Sequence, residues 1–224
     1  MRSKLIFWDW TGTLANEAAL DKAICLTMER ELAKKEDISV EQAADRYHAY
    51  LKEREGTWEW HDYVTHCRDM GIDWQYCQES NFNKLLLVPG AGEILTYAQS
   101  RGFQNILATN AVRKVIELRI GHTGIGHLFD MVIASDDTHA LKGEGKHFLR
   151  GLKERDGIAS SSFSVGDNPV QDIHPAQRLG MRTVFCTFGR NLTHYHSSHI
   201  SNNHTEPVLA GFRIRKLTDI KYIL

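Results

Sequence analysis

Buried strands that alternate with short helices constrain the fold of this 224-residue chain more than any other feature of its sequence. Nearly continuous apolar runs of strand length are typical of strands that are covered on both faces. Because helix-like segments of about ten residues follow most of these runs, the sequence predicts an α/β fold with a doubly wound parallel sheet. The five predicted strands are LIFW (5–8), FQNILATN (103–110), FDMVIASD (129–136), SFSVGD (162–167) and RTVFCTF (182–188).

A long helical segment interrupts this alternation directly after the first strand. It is rich in Glu, Lys, Arg, Ala and Gln, with apolar residues at helical spacing. Ser39 and Gln42 form a capping-box pattern, and we expect the helix that they begin to end at Gly56. Further helices are predicted over 57–71 and 73–84. The predicted domains are a helical cap at 15–88 and an α/β core formed by 1–14 and 89–224.

The composition excludes some classes of partner. The 27 Lys and Arg residues nearly balance the 28 Asp and Glu residues, so no net field attracts nucleic acid or an anionic membrane surface. No apolar run approaches the roughly 20 residues that span a bilayer. The first strand follows the N-terminal residues directly, so we expect no signal peptide. Four cysteines without a CxxC pair indicate reduced thiols, and the sequence therefore predicts a cytoplasmic protein.

Polar side chains suited to a phosphoryl group follow the carboxyl ends of the predicted strands. Asp9 comes after the first strand, and Thr109 ends the second. Asp167 and Asp172 follow the fourth strand, with Lys142 ahead of it. Parallel strands bring such residues into one crevice, where carboxylates can hold Mg²⁺ and donors can hold phosphate oxygens. A strand-end aspartate taken alone would equally fit the cap of the next helix.

Four segments in this order resemble the haloacid dehalogenase superfamily, most of whose members are phosphatases. FWDWTGTL (7–14) is similar to its first motif, a strand that ends in D-x-D-G-T-L. ILATN (106–110) resembles the second motif, and Lys142 lies in LKGEGKHF (141–148), where the family carries its lysine. VGDNPVQDIHPAQRLGM (165–181) resembles the acidic fourth motif. The resemblance covers nearly the whole chain, and it implies that the helical insert is a cap over the site.

The resemblance also implies roles for individual residues. Asp9 would be the nucleophile, forming an aspartyl-phosphate that water then cleaves. Thr109 and Lys142 would hold the transferring phosphoryl oxygens, and Thr13 and Asn110 would contribute to binding the substrate. Mg²⁺ would be held by Asp9, by the backbone carbonyl of Thr11, by Asp167 and by Asp172, the last directly or through water.

The chain departs from the family pattern at Thr11, where members usually carry a second aspartate as acid and base. Such a group contributes about 10² to 10⁴ in rate. We therefore expect a Mg²⁺-dependent phosphatase of a small phosphorylated metabolite, with slowed turnover. The alternatives are a carbon–phosphorus hydrolase resembling phosphonoacetaldehyde hydrolase, for which Lys52 is a candidate cap lysine, a phosphotransferase, and a weakened protein that binds phosphorylated ligands. The sequence leaves the substrate and the oligomeric state open.

Other polar and aromatic residues have a structural interpretation and a functional one. Trp58, Trp60 and His61 could contact a substrate, but the sequence favours an aromatic stripe that packs the cap helices together. Trp10 fits either the mouth of the site or a position packed under the cap. The histidine-rich segment 194–204 could bind a transition metal, although its polar spacers favour a solvated loop.

Overall fold

The computed structural model describes residues 3–189 and 209–224, together with the backbone of 194–195 and 206–207. Its strands are β1 (Lys4–Trp8), β2 (Ala15–Asn16), β3 (Leu86–Leu87), β4 (Phe103–Ala108), β5 (Met131–Ile133), β6 (Phe163–Gly166), β7 (Arg182–Cys186), β8 (His194–Tyr195), β9 (Glu206–Pro207) and β10 (Phe212–Ile214). Its helices are α1 (Ala18–Glu36), α2 (Val40–Lys52), α3 (Tyr63–Met70), α4 (Trp74–Glu79), α5 (Ala91–Ser100), α6 (Arg113–Thr123), α7 (Ser135–Thr138), α8 (Lys146–Glu154) and α9 (His174–Arg178).

The central sheet is parallel and has six strands in the order β10-β7-β6-β1-β4-β5. The five strands expected from the apolar runs are present, which confirms the doubly wound α/β class. Strand β10 was not predicted, because Phe212–Ile214 is short and exposes Arg213 between two less accessible neighbours. It extends the sheet at the edge next to β7.

Strand β1 shows why the sheet is covered on both faces. Alternate side chains of a strand point to opposite faces. On one face Phe7 packs edge-to-face against Phe148 of α8, with ring centroids 5.4 Å apart. On the other face Trp8 belongs to the larger core cluster, which also holds Ile94 of α5. Helices therefore pack on both sides of the central strand, and a polar side chain can reach solvent only beyond the strand's end.

Helices α1–α4 leave and rejoin the sheet through the antiparallel pair β2–β3, in which Ala15 pairs with Leu87 and Asn16 with Leu86. This geometry is that of a helical insertion after the first core strand. The domain boundaries at 14/15 and 88/89 stay a prediction. None of the helices in the described part of the chain combines the length and the apolar character that a membrane crossing requires.

Three details of the helical segment differ from the sequence prediction, and one is that the helix predicted over 73–84 is divided into α4 and a 3₁₀ turn, Phe82–Lys84. The capping box of Ser39 and Gln42 is present, but the helix ends at Lys52 rather than at Gly56. The helix predicted over 57–71 is divided into a 3₁₀ turn, Trp58–His61, and α3. Asp62 causes the break, because its side chain accepts a hydrogen bond from the backbone of Thr65 at 2.9 Å and so begins a new helix there.

Candidate active site

The carboxyl ends of three neighbouring strands bring the predicted site residues together. Asp9 follows β1, Thr109 and Asn110 follow β4, and Asp167 follows β6. Since β4, β1 and β6 are adjacent and parallel, these residues meet at one edge of the sheet. They border a cavity of about 400 Å³ that Thr11 and Lys142 also line. Its size suits a small ligand.

Lys142 joins two of the carboxylates at the base of this cavity. Its ammonium group donates to Oδ1 of Asp9 and, at 2.6 Å, to Oδ1 of Asp172. Burial disfavours the charged amine, but Asp172 and Asp9 outweigh this effect and raise the pKa of Lys142 above its usual value. Lys142 is therefore a permanent cation beside Asp9. Asn110 fixes the turn that carries it, because the backbone N–H of Lys142 donates to Asn110 Oδ1 at 2.8 Å.

Thr13 contacts Asp9 from a position outside the cavity lining. Its side chain is fully buried, and its hydroxyl donates to Oδ2 of Asp9 at 2.9 Å. Thr13 is not among the residues that line the cavity, whereas the sequence analysis expected it to bind the substrate. The structure instead gives it a positioning contact: the turn after β1 folds back and places the hydroxyl on the carboxylate.

Thr109 keeps a hydroxyl hydrogen available to a ligand. Its Oγ1 accepts a hydrogen bond from the backbone N–H of Ala111 at 3.1 Å, which occupies an acceptor site and not the donor. The carbonyl of Thr109 is contacted by Nε2 of the buried His147, 3.2 Å away. Burial and the nearby charge of Lys142 lower the pKa of His147 to about 3, so this imidazole stays neutral.

Asp9, Asp167 and Asp172 form an acidic cluster in which one oxygen of each lies within 4.8 Å of the others. Three carboxylates at this spacing fit a hard cation such as Mg²⁺. Gly12 permits the close approach, because a Cβ at this position would lie 2.5 Å from an oxygen of Asp167. Burial and the neighbouring Asp9 raise the pKa of Asp172 to about 8, against the opposing effect of Lys142.

Glu17, which no sequence motif indicated, contacts Thr11. The Thr11 hydroxyl donates to Glu17 Oε2 at 2.7 Å. Glu17 also accepts bonds from the indole of Trp10, at 2.6 Å, and from Nη1 of Arg119, at 2.8 Å. Burial raises the pKa of Glu17, while Arg119 opposes the rise. Trp10 is fully buried, so of its two interpretations the structure supports packing.

Part of the cavity wall is formed by residues that the sequence motifs did not indicate or that were expected to pack elsewhere. Trp60 and His61 line it, although the sequence favoured packing between cap helices for both. Asp21 and Tyr63, together with Arg119 from α6, complete this part of the wall. Trp60 and His61 lie in a 3₁₀ turn rather than on a helix, so they do not form the aromatic stripe that would pack against neighbouring cap helices.

Two further expectations concern residues away from the cavity. Trp58 packs against His139, with ring centroids 5.3 Å apart, which joins the 3₁₀ turn to the segment after α7. Lys52 ends α2 and is not among the cavity-lining residues. The histidine-rich segment 194–204, for which the sequence favours a solvated loop over a metal site, lies outside the described residues apart from the backbone of 194–195.

The fold and site define a class: a parallel α/β protein with a helical insertion after its first strand and a lysine among carboxylates at the strand ends. The chain belongs to the haloacid dehalogenase-like hydrolase family, whose sequence profile matches residues 6–186. This membership confirms the resemblance drawn from the four motifs.

Individual relatives are phosphatases. The chain is 30% identical over 101 residues to the ribulose-1,5-bisphosphate 5-phosphatase of Halopiger xanaduensis, a match that covers 45% of this chain and only 42% of that protein. It is 24% identical over 203 residues to the glyceraldehyde 3-phosphate phosphatase of Pyrococcus furiosus, covering 84% of this chain and 82% of the relative. The chain thus spans less than half the length of the first relative.

A solved structure supports the fold. The HAD phosphatase from Thermococcus onnurineus superposes with a TM-score of 0.79 at 24% identity and covers 98% of this chain and 97% of its own. At this identity the likeness establishes the shared fold.

Proposed function

We propose that the protein is a Mg²⁺-dependent phosphomonoester hydrolase that acts on a small phosphorylated metabolite. The observation that carries the proposal is the carboxylate of Asp9, held between the Thr13 hydroxyl and the Lys142 ammonium on the wall of the cavity. A carboxylate with both oxygens held in this way is oriented to act as a nucleophile. The relatives that hydrolyse phosphate esters point to the same reaction class.

In the proposed reaction Asp9 attacks phosphorus and the P–O bond to the substrate's alcohol breaks, releasing an alkoxide that takes its proton from water. The product is an aspartyl-phosphate on Asp9, which water cleaves to free phosphate and the original carboxylate. Lys142 neutralises charge on the phosphoryl oxygens, and the Thr109 hydroxyl donates to one of them. Asn110 holds the turn that presents Lys142.

The acidic cluster is suited to Mg²⁺, with Asp9, Asp167 and Asp172 as side-chain ligands and the Thr11 carbonyl as a backbone ligand. Once bound, the ion would withdraw charge from the phosphoryl group as it is transferred. Asp172 is held in place by the backbone N–H of Asn168, which donates to its Oδ2 at 3.1 Å. The donor set therefore fits the ion by chemistry and by spacing.

The threonine at position 11 affects the rate expected for the proposed reaction. A hydroxyl does not ionise near neutral pH, so the departing alcohol lacks the usual protonating carboxylate. The expected consequence is slow turnover with a steep dependence on the leaving group, with aryl phosphates cleaved faster than alkyl phosphates.

Phosphate release from the purified protein with Mg²⁺ tests the proposal, using an aryl phosphate and a panel of phosphorylated metabolites. Asp9→Asn keeps the shape of the side chain and removes the nucleophile, so release is expected to disappear. Asp45→Asn, the same substitution at an exposed position of α2, serves as the matched control and is expected to keep it. Equal release from the wild type and Asp9→Asn would refute the proposal.

A second candidate function is binding of a phosphorylated ligand without turnover, which Thr11 favours because the acid–base carboxylate is absent there. The outcome that supports it is tight binding of a phosphate ester with no Asp9-dependent release. The carbon–phosphorus hydrolase alternative needs a further lysine near the phosphoryl group. Lys142 is the lysine among the described residues of the cavity wall, and Lys52 does not belong to that wall.

A further inference from the structure

The cavity wall holds a second charged group besides Asp9, Lys142 and Asp167. Arg119 comes from α6 of the core and donates through Nη1 to Glu17 and through Nη2 to Asp21, at 2.8 and 3.2 Å. Its Nε donates to the side chain of Gln78 at 3.1 Å. One guanidinium is thus shared by two carboxylates and an amide. Even with one proton on the two carboxyl groups, Arg119, Glu17 and Asp21 together carry no net positive charge.

Asp21 and Glu17 differ in what they can offer a ligand. The Glu17 side chain is 0% exposed, whereas the Asp21 side chain is 36% exposed and lines the cavity. Arg119 bonds Oδ1 of Asp21, and no hydrogen bond within the described chain reaches Oδ2. Asp21 therefore presents an acceptor oxygen to the cavity that a donor on the ligand can use.

Aromatic side chains line the same cavity as Asp21. Trp60 and Tyr63 both line the cavity, and the Tyr63 ring already faces a cation, with Arg119 Cζ 5.9 Å from its centroid. A carboxylate beside aromatic rings is a favourable environment for an organic ammonium group. The same environment disfavours a second phosphate or a carboxylate, because Arg119 is already neutralised by its partners and Lys142 is held by Asp9 and Asp172.

We propose that the substrate is the phosphomonoester of a small amino alcohol, whose ammonium group binds Asp21 between Trp60 and Tyr63. This inference rests on the proposed function, since it assigns the leaving-group end of the same cavity. Asp21 is a specificity-determining residue: it contacts the part of the substrate that departs, and the phosphoryl group remains with Asp9 and Lys142. Bisphosphates and phosphorylated acids are poor substrates in this assignment.

Three esters of equal chain length test the proposal: 2-aminoethyl phosphate, 2-hydroxyethyl phosphate and phosphoglycolate. All have primary alcohols as leaving groups and differ in carrying an ammonium, a hydroxyl or a carboxylate. For the wild type with Mg²⁺, kcat/KM for the aminoethyl ester is expected to exceed that for the hydroxyethyl ester by at least about tenfold, with phosphoglycolate lowest. Equal values, or a preference for either other ester, would overturn the assignment.

The variant Asp21→Asn keeps the size of the side chain and removes its charge. Its ratio of kcat/KM values, aminoethyl over hydroxyethyl, is expected to fall to within about threefold of unity. A merely structural role would lower both values and leave the ratio unchanged, which would count against the proposal. Asp45→Asn on α2 is the matched control and should preserve the wild-type ratio.

A binding measurement separates failure of this inference from failure of the proposed function. Calorimetry on Asp9→Asn with the aminoethyl and hydroxyethyl esters measures the preference without turnover. Suppose that no ester or aryl phosphate is hydrolysed but the aminoethyl ester still binds at least about tenfold more tightly than the hydroxyethyl ester. The assignment of Asp21 to the ammonium group is then supported, and the phosphatase proposal fails. If Asp9-dependent hydrolysis occurs but neither its rate nor the binding favours the aminoethyl ester, the phosphatase proposal stands and the assignment of Asp21 to an ammonium group fails.

Discussion

The hydroxyl of Thr11 donates a 2.7 Å hydrogen bond to Oε2 of Glu17. Glu17 is a buried carboxylate that Trp10 and Arg119 also bond. An aspartate at position 11, as in the family pattern, would place a second carboxylate in contact with the buried Glu17, which is unfavourable unless one of the two takes up a proton. Thr11 and Glu17 are therefore a compatible pair, and the loss of the usual aspartate is coupled to a second residue of this chain.

This coupling predicts how an acid–base aspartate can be restored. Thr11→Asp alone is expected to gain less than about tenfold in phosphate release, because Glu17 repels the new carboxylate. Thr11→Asp combined with Glu17→Gln removes that charge and is expected to gain about 10² or more, within the usual contribution of such a group. Initial rates with an alkyl phosphate measure both. Glu17→Gln alone is the control for the loss of the Arg119 partner, and an equal gain in the single and double variants would contradict the coupling.

The contact between Thr13 and Asp9 gives a second prediction. Thr13→Val keeps the shape of the side chain and removes the hydroxyl that holds Asp9 Oδ2. A hydrogen bond to a charged group contributes about 1.5 to 3 kcal/mol, so kcat is expected to fall by about tenfold or more if this bond orients the nucleophile. Thr13→Ser restores a hydroxyl and should recover most of the rate. Wild-type kcat in Thr13→Val, with folding verified by thermal denaturation, would show that Asp9 does not depend on this contact.

The central sheet could be predicted because its inner strands are mostly apolar runs. Residues 5–8 and 103–108 are buried almost throughout, and a mostly apolar run is the sequence pattern that this environment favours, although 103–108 includes Gln104 and Asn105. Strand β10 has three residues with an exposed arginine in the middle, which gives no distinctive pattern. The split at Asp62 was missed because a helix-capping side chain competes locally with a helical pattern that continues on both sides.

The cavity residues at the strand ends could be predicted from the sequence, whereas Asp21 and Arg119 could not. Asp9, Thr109 and Asp167 are fixed by the edge of a parallel sheet, a relationship that the order of the strands reveals. Asp21 and Arg119 are 98 residues apart in the chain and meet only when the helical insert lies against α6. Helical spacing records which residues share a face, but not which face meets which neighbour.

The raised pKa of Asp172 predicts that Mg²⁺ binding depends on pH. Burial and Asp9 raise this pKa to about 8, so below pH 8 a proton must leave when the ion binds. The Mg²⁺ affinity is expected to rise by up to about tenfold per unit from pH 6 to 8 and to level off above. Calorimetry in two buffers of different ionisation enthalpy measures the affinity and the released proton. Asp172→Asn should flatten the profile, and a wild-type affinity independent of pH would contradict the assignment.

The buried His147 predicts a loss of stability in acid. Burial and Lys142 lower its folded pKa to about 3, below the value near 6.5 of the unfolded chain. The contribution of His147 to the free energy of unfolding is complete above pH 6.5 and is lost as the pH falls, since only the unfolded state then takes up the proton. The slope is about 1.4 kcal/mol per pH unit, or roughly 2 kcal/mol between pH 6.5 and 5. Urea denaturation at both pH values should show a smaller loss in His147→Gln than in the wild type. His48→Gln, at an exposed position of α2, should behave as the wild type, and equal losses in all three proteins would place the acid sensitivity elsewhere.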